Sequence, residues 1–128
     1  MRPHIVEPAA SPKPVGPYSH AVRARDFLFC SGQIPLTKEG KLIEGGIREQ
    51  TRQVLQNLSA ILQDQSLTFE DVVKTTVFMT DLGEFGEMNA IYAEHFRANF
   101  PARSTIQVAA LPRGARVEIE AIACYPAS

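Results

Sequence analysis

Arg103, Glu118 and Glu120 are the side chains of this sequence best suited to chemistry. Arg103 follows Phe100-Pro101-Ala102 at the start of a strand-like run. A guanidinium just past a proline-set turn is held by a stiff element. It can take a carboxylate through two parallel hydrogen bonds. Glu118 and Glu120 alternate in Val117-Glu118-Ile119-Glu120, so one face of a strand carries both acids. Tyr18, delivered by the turn Gly16-Pro17, offers a hydroxyl and an aromatic wall. Ser31-Gly32 interrupts an apolar run, and a glycine inside a strand marks a bulge or a ligand close to the backbone. Together these make a pocket for a small carboxylate. The fitting chemistry is hydrolysis of an activated C=N bond, with a carboxyl group moving protons. The arginine would fix the reacting carbon through the substrate carboxylate. On residue chemistry alone a plainer reading stands beside each. Arg103 reads as a solvated surface cation, Tyr18 as a core plug, Ser31-Gly32 as a simple bulge, and the two acids as a solvent-facing pair.

The elements that must position these groups follow from the hydrophobic pattern. Residues 8–17 hold four prolines and read as extended, so residues 1–15 form an extended N-terminal segment of a single domain spanning 1–128. Residues 21–25 and 27–35 read as a hairpin turning at Asp26. Phe27 to Cys30 is apolar throughout, which predicts burial on both faces. A loop over 37–46 precedes a helix over 47–65. Thr51, Val54, Leu55, Leu58, Ile61 and Leu62 form its apolar stripe, and it carries no chemistry. The strand over 72–80 should put Val73, Thr75, Val77 and Met79 on one face. Asp81 reads as a helix cap with Glu84 at the capping-box position. The helix then runs to about residue 99, with Phe85, Met88, Tyr92 and Phe96 inward. Asn89 lies beside that stripe, where a half-buried amide needs partners. His95 on the same flank reads as packed or surface.

The last two strands, about 103–111 and 116–125, read as a hairpin turned by Pro112-Arg113-Gly114-Ala115. With Leu111 opposite Arg116, the residues Arg103, Thr105, Gln107, Glu118 and Glu120 share one face. A one-residue slip would move the acids to the other face. Arg103 then stands roughly 20 Å along the strand from the partner of Glu118. Either a bulge or curvature changes that distance, or Arg103 meets an acid from a neighbouring subunit. The sheet is apolar on both faces and two helices cover only one, which favours a closed oligomer.

Composition excludes several classes. The chain has 128 residues, 45% hydrophobic and 21% charged, with a net charge of -1. Its arginines are spread among acids and form no basic stripe, so nucleic acid is not an expected partner. No apolar run reaches membrane-spanning length. The first eight residues lack a signal-peptide core, so a cytoplasmic location is expected. Cys30 and Cys124 sit in apolar runs without CxxC or Cys/His spacing and read as buried thiols. No phosphate loop, metal-ligand spacing or nucleophile elbow is present, so neither metal nor cofactor is expected.

Five stretches in order carry a family resemblance: Gly16-Pro17-Tyr18-Ser19, Ser31-Gly32-Gln33-Ile34-Pro35, Lys74-Thr75-Thr76-Val77-Phe78, Pro101-Ala102-Arg103-Ser104, and Val117-Glu118-Ile119-Glu120-Ala121-Ile122-Ala123. Asn89-Ala90-Ile91-Tyr92 also fits. From about Gly16 to about Tyr125 the chain resembles the RidA/YjgF/UK114 family. The resemblance implies an α+β, chorismate-mutase-like fold: a single mixed β-sheet with two helices on one face. It implies a homotrimer with three pockets at subunit interfaces. The activity implied is cofactor-free hydrolysis of 2-enamine and 2-imine acids, released by pyridoxal-phosphate-dependent dehydratases, to 2-keto acids and ammonia. Arg103 matches the family's carboxylate-binding arginine and Glu118 the acid near the attacking water. Tyr18, Ser31, Gly32 and Asn89 match pocket residues. Thr105 stands where some members have cysteine and serves if its backbone carbonyl is what counts. His20 stands where many members carry Gln or another polar residue. Two other readings remain: an endoribonuclease or translation inhibitor, which the charge balance disfavours, and a non-catalytic trimeric keto-acid-binding or chaperone-like protein.

Overall fold

The computed structural model describes residues 2–127; residues 1 and 128, the ends of the expected domain span, lie outside the described residues. The chain runs β1 (His4–Val6), β2 (Ala21–Ala24), β3 (Phe27–Gln33), α1 (Ile47–Asp64), β4 (Val72–Met79), α2 (Phe85–His95), β5 (Ala102–Gln107) and β6 (Val117–Cys124). The strands form one mixed sheet in the order β1-β2-β3-β6-β4-β5. Only β4 and β5 pair in parallel. Their connection contains α2, as a parallel crossover requires. Residues 4–6, inside the expected extended segment, form the edge strand β1.

The core lies between the sheet and the two helices. Val54, Leu55, Leu58, Ile61 and Leu62 of α1 and Met88 and Ile91 of α2 share one buried cluster with Leu28 of β3, Val77 and Met79 of β4, and Val117, Ile119 and Ala123 of β6. Helix α1 starts where Gly45 takes φ 119° and the Glu49 carboxylate accepts the Gly46 N–H at 2.8 Å. Two polar residues outside the expected stripe are also buried. Asn57 donates to the carbonyls of Ile34 and Leu36 at 3.2 and 3.0 Å, and Gln50 accepts the Arg116 N–H at 2.8 Å. The helix thus ties down the chain on leaving β3 and on entering β6.

Several expectations are corrected. The 103–111/116–125 hairpin does not form, because β4 stands between β5 and β6. Strand β6 alternates Val117, Ile119, Ala121 and Ala123, all buried, and belongs in the sheet's centre. Strand β5, reading Ala-Arg-Ser-Thr-Ile-Gln, is polar enough for an edge. In β4 a register shift between Val72 and Lys74 turns Val72 inward and leaves Val73 44% exposed. Helix α2 ends at His95 rather than near 99; Asn99 takes φ 52°, and Pro101 follows. Asp81 accepts from the Gly83 N–H at 2.8 Å and caps a 3-10 turn over Leu82–Glu84, while Glu84 pairs with Arg116 instead of closing a capping box. In β3 only Leu28, Cys30 and the polar Gln33 are buried. Phe27 and Phe29 are 42% and 45% exposed, because both helices lie on the other face.

Candidate active site

The sheet separates the expected site residues into two groups. Arg103 pairs with Thr75, which is fully buried under the helices. Glu118 pairs with Phe78 on the same strand. Thr75 and Phe78 are three residues apart, so their partners project to opposite faces. Arg103, Thr105 and Gln107 therefore lie on the helix side, with Glu118 and Glu120 on the open side. The expected common face is wrong, because the register it assumed belongs to a hairpin the chain does not make.

On the helix side, Nη1 of Arg103 donates to Oδ1 of Asn89 at 2.8 Å. The guanidinium lies over the Tyr92 ring at 4.8 Å and near the Phe85 ring at 5.5 Å. These contacts fix its plane by hydrogen bonding and cation–π attraction. The Tyr92 hydroxyl is itself held by the Thr75 hydroxyl at 2.7 Å. Burial pushes the Tyr92 phenol up, with Thr75 and Arg103 acting the other way. Arg103 opens on a cavity of about 360 Å3, walled also by Ala93, Phe100 and Pro101. Among the described residues no carboxylate lies within ion-pair distance of Arg103. Thr105 is two residues further along β5 on the same face, and its hydroxyl is buried without a partner among the described residues.

On the open side, the bulge of β3 brings Gly32 onto Glu118. A Cβ at Gly32 would stand 2.6 Å from Oε2 of Glu118, so the missing side chain is what admits the carboxylate. Burial, followed by the neighbouring Glu120, holds the Glu118 carboxyl above its ordinary range. The Ser31 hydroxyl donates to the Ser19 carbonyl at 2.6 Å, and its N–H donates to the His20 carbonyl at 2.8 Å. This links Tyr18 to the group through its neighbour Ser19. The Tyr18 ring is 47% exposed, and its hydroxyl accepts weakly from the Val15 N–H at 3.4 Å. Burial lifts the Cys30 thiol to about 12, which keeps it un-ionised and inert. Among the described residues, no three His, Cys, Asp or Glu side chains gather as a metal set, and no helix is long and apolar enough to cross a membrane.

Two side chains beside Arg103 were not assigned to the site from sequence. Phe85 and Tyr92 flank Arg103, yet both read as core residues. The signal lay in their spacing: Phe85, Asn89 and Tyr92 recur at helical intervals on one flank.

Residues 8–125 match the family model for Endoribonuclease L-PSP. The human 2-iminobutanoate/2-iminopropanoate deaminase is 44% identical over 120 residues, which cover 93% of this chain and 88% of that protein. The chain belongs to the RidA/YjgF family. A RutC family protein of Pyrococcus horikoshii is 48% identical over 114 residues, 88% of this chain and 90% of that one. The solved structure of the Rid-family protein YyfA from Yersinia pestis superposes with a TM-score of 0.93 at 45% identity, covering 96% of this chain and 99% of that one. The two-helix, single-sheet architecture is therefore that of the RidA/YjgF family.

Proposed function

We propose that the chain hydrolyses 2-enamine and 2-imine acids, such as 2-aminoacrylate and 2-iminobutanoate, to 2-keto acids and ammonia, at sites shared between subunits of a homotrimer. One observation carries the reading. Arg103 is clamped by Asn89 and two aromatic rings, faces a cavity, and has no acid partner among the described residues. Asn89 occupies one of its five N–H groups, which leaves a pair for a substrate carboxylate. The name of the human relative supplies the substrate class.

The chemistry follows from the two groups. Arg103 anchors the carboxylate and so fixes C2, the imine carbon. Glu118 takes a proton as water adds to C2, which forms the C–O bond and moves the C=N electron pair onto nitrogen. The same carboxyl returns a proton to nitrogen. The carbinolamine then collapses, the C–N bond breaks, and ammonia leaves with a 2-keto acid. A carboxyl held above its ordinary range suits both proton transfers. No step calls for a cofactor. Tyr18, Ser31 and Gly32 enclose the water side, while Asn89 and Thr105 belong to the carboxylate side. Since Arg103 and Glu118 lie across the sheet from each other, one chain supplies one half of a site and its neighbour the other. The exposed Phe27, Phe29 and Ile106 on the open face fit burial against that neighbour. The protonated Cys30 thiol and the unpaired Cys124 fit a reducing cytoplasm.

The test is keto-acid formation in a coupled assay. Threonine dehydratase generates 2-iminobutanoate in situ, with the protein present or absent. The protein should speed keto-acid release, and Arg103→Ala should reduce that gain by about 10²-fold or more. Equal rates with and without folded protein would overturn the deaminase reading in favour of a keto-acid-binding protein.

A further inference from the structure

A second cavity, of about 340 Å3, lies beneath the segment between β1 and β2 and shares no lining side chain with the Arg103 cavity. Two polar side chains close it from below. His20 and Ser11 are each only 5% exposed. Neither ring nitrogen of His20, nor the Ser11 hydroxyl, makes a well-formed hydrogen bond among the described residues, the Pro12 carbonyl being the acceptor near the His20 ring. Burying such groups unpaired is costly, so an occupant that bonds them is expected. Burial holds the His20 imidazole below its ordinary value, against the pull of the Pro12 carbonyl and the Glu7 carboxylate. A neutral ring offers one donor and one acceptor.

The rim narrows the chemistry. Exposed Glu7 and Lys13 both line the opening and carry opposite charges. An anion would be repelled by the first and a cation by the second. A metal ion would want more ligands than the single imidazole and single carboxylate present. Pro8, Ala9 and Pro14 supply apolar walls. The volume is at the small end for a ligand pocket.

We propose that this cavity binds a free α-amino acid with a small apolar side chain. Its ammonium donates to Glu7 and to the accepting nitrogen of His20. Its carboxylate accepts from Lys13 and from the Ser11 hydroxyl, and its side chain rests on the two prolines and Ala9. Each polar side chain lining the cavity then has a partner, and the remaining His20 ring N–H is left to the Pro12 carbonyl. The site is separate from the reaction chemistry and does not depend on the deaminase reading.

The experiment is calorimetric titration of L-valine into Arg103→Ala protein, which removes the other anchor for an amino-acid carboxylate. Binding should saturate near one valine per chain. Isobutyrate, lacking the ammonium, and isobutylamine, lacking the carboxylate, should bind at least tenfold more weakly. His20→Phe should weaken valine binding at least tenfold. Lys13→Met, at an exposed position that leaves folding intact, should weaken it several-fold. In protein labelled with 13C-histidine, the His20 ring signals should shift on valine addition. No saturation at millimolar valine, or saturation with unmoved His20 signals, would overturn the site and leave water as its occupant. Equal affinity for isobutyrate, or insensitivity to Lys13→Met, would overturn the zwitterion assignment.

Discussion

At Glu118, stability and the proposed activity pull in opposite directions. Its carboxyl is held above its ordinary value of 4.5, by burial first and Glu120 second. Between 4.5 and the raised value, the folded chain keeps a proton that the unfolded chain releases. The Glu118 contribution to stability is therefore complete below the unfolded value and is lost as pH rises through the folded one. Glu118→Gln removes that loss. We expect the variant to be at least as stable as the parent at pH 7, and its advantage to shrink as pH falls towards 4.5; urea midpoints across that range would show this. On the proposed chemistry the same change should cut imine hydrolysis by about 10²-fold or more, since the proton-transferring group would be gone. Equal stability profiles for the two proteins would refute the electrostatic account. At this scale the sequence was readable only in part. Arg103, Asn89 and Glu118 stand out by type, and the close approach at Gly32 follows from a glycine in a strand. What could not be read was which side of the sheet each group faces. Facing depends on register, and register on which strands pair.

At the scale of elements, periodicity located both helices and the strands from residue 21 onward, because burial imposes it directly. Pairing order was less accessible. The turn at Pro112–Gly114 looks like a hairpin corner, yet it leads β6 past β4 rather than back onto β5. The alternating apolar residues of β6 decide the matter, since a strand buried at every second position is wasted at an edge. The polar make-up of β5 carried the complementary hint. Helix α1 was read as scaffold only, and its buried Asn57 shows what that missed. This amide holds the carbonyls of Ile34 and Leu36, just past the bulge that seats Gly32 against Glu118. Asn57→Ala removes the amide donor from the Leu36 carbonyl and leaves the Ile34 carbonyl only the Leu36 N–H, and should cost about 2 kcal/mol. A lowered denaturation midpoint with an unchanged slope would mark it as loss of stability alone. A change within experimental error would mean that the 34–36 segment is anchored elsewhere.

At the scale of the whole molecule, the sheet is a partition. It puts Arg103 under the helices and Glu118 on the bare face, so the proposed site needs two copies. The proposed ring of three would close that requirement, each subunit giving its Arg103 side to one neighbour and its Glu118 side to the other. This arrangement has a consequence that no single-chain site shares. Arg103→Ala and Glu118→Gln proteins should each be inactive alone. Unfolded together in equal amounts and refolded, they form mixed rings. A site is intact where a subunit with its arginine precedes one with its glutamate. Random mixing makes about a quarter of all sites intact, so activity should return to about a quarter of the wild-type value per site. Mixing without unfolding should restore little until subunits exchange. Light scattering must show the same ring mass before and after, which separates restored sites from altered assembly. No recovery in rings of the right mass would place both groups in one chain's site, and would require Arg103 to reach Glu118 around the sheet edge at β5.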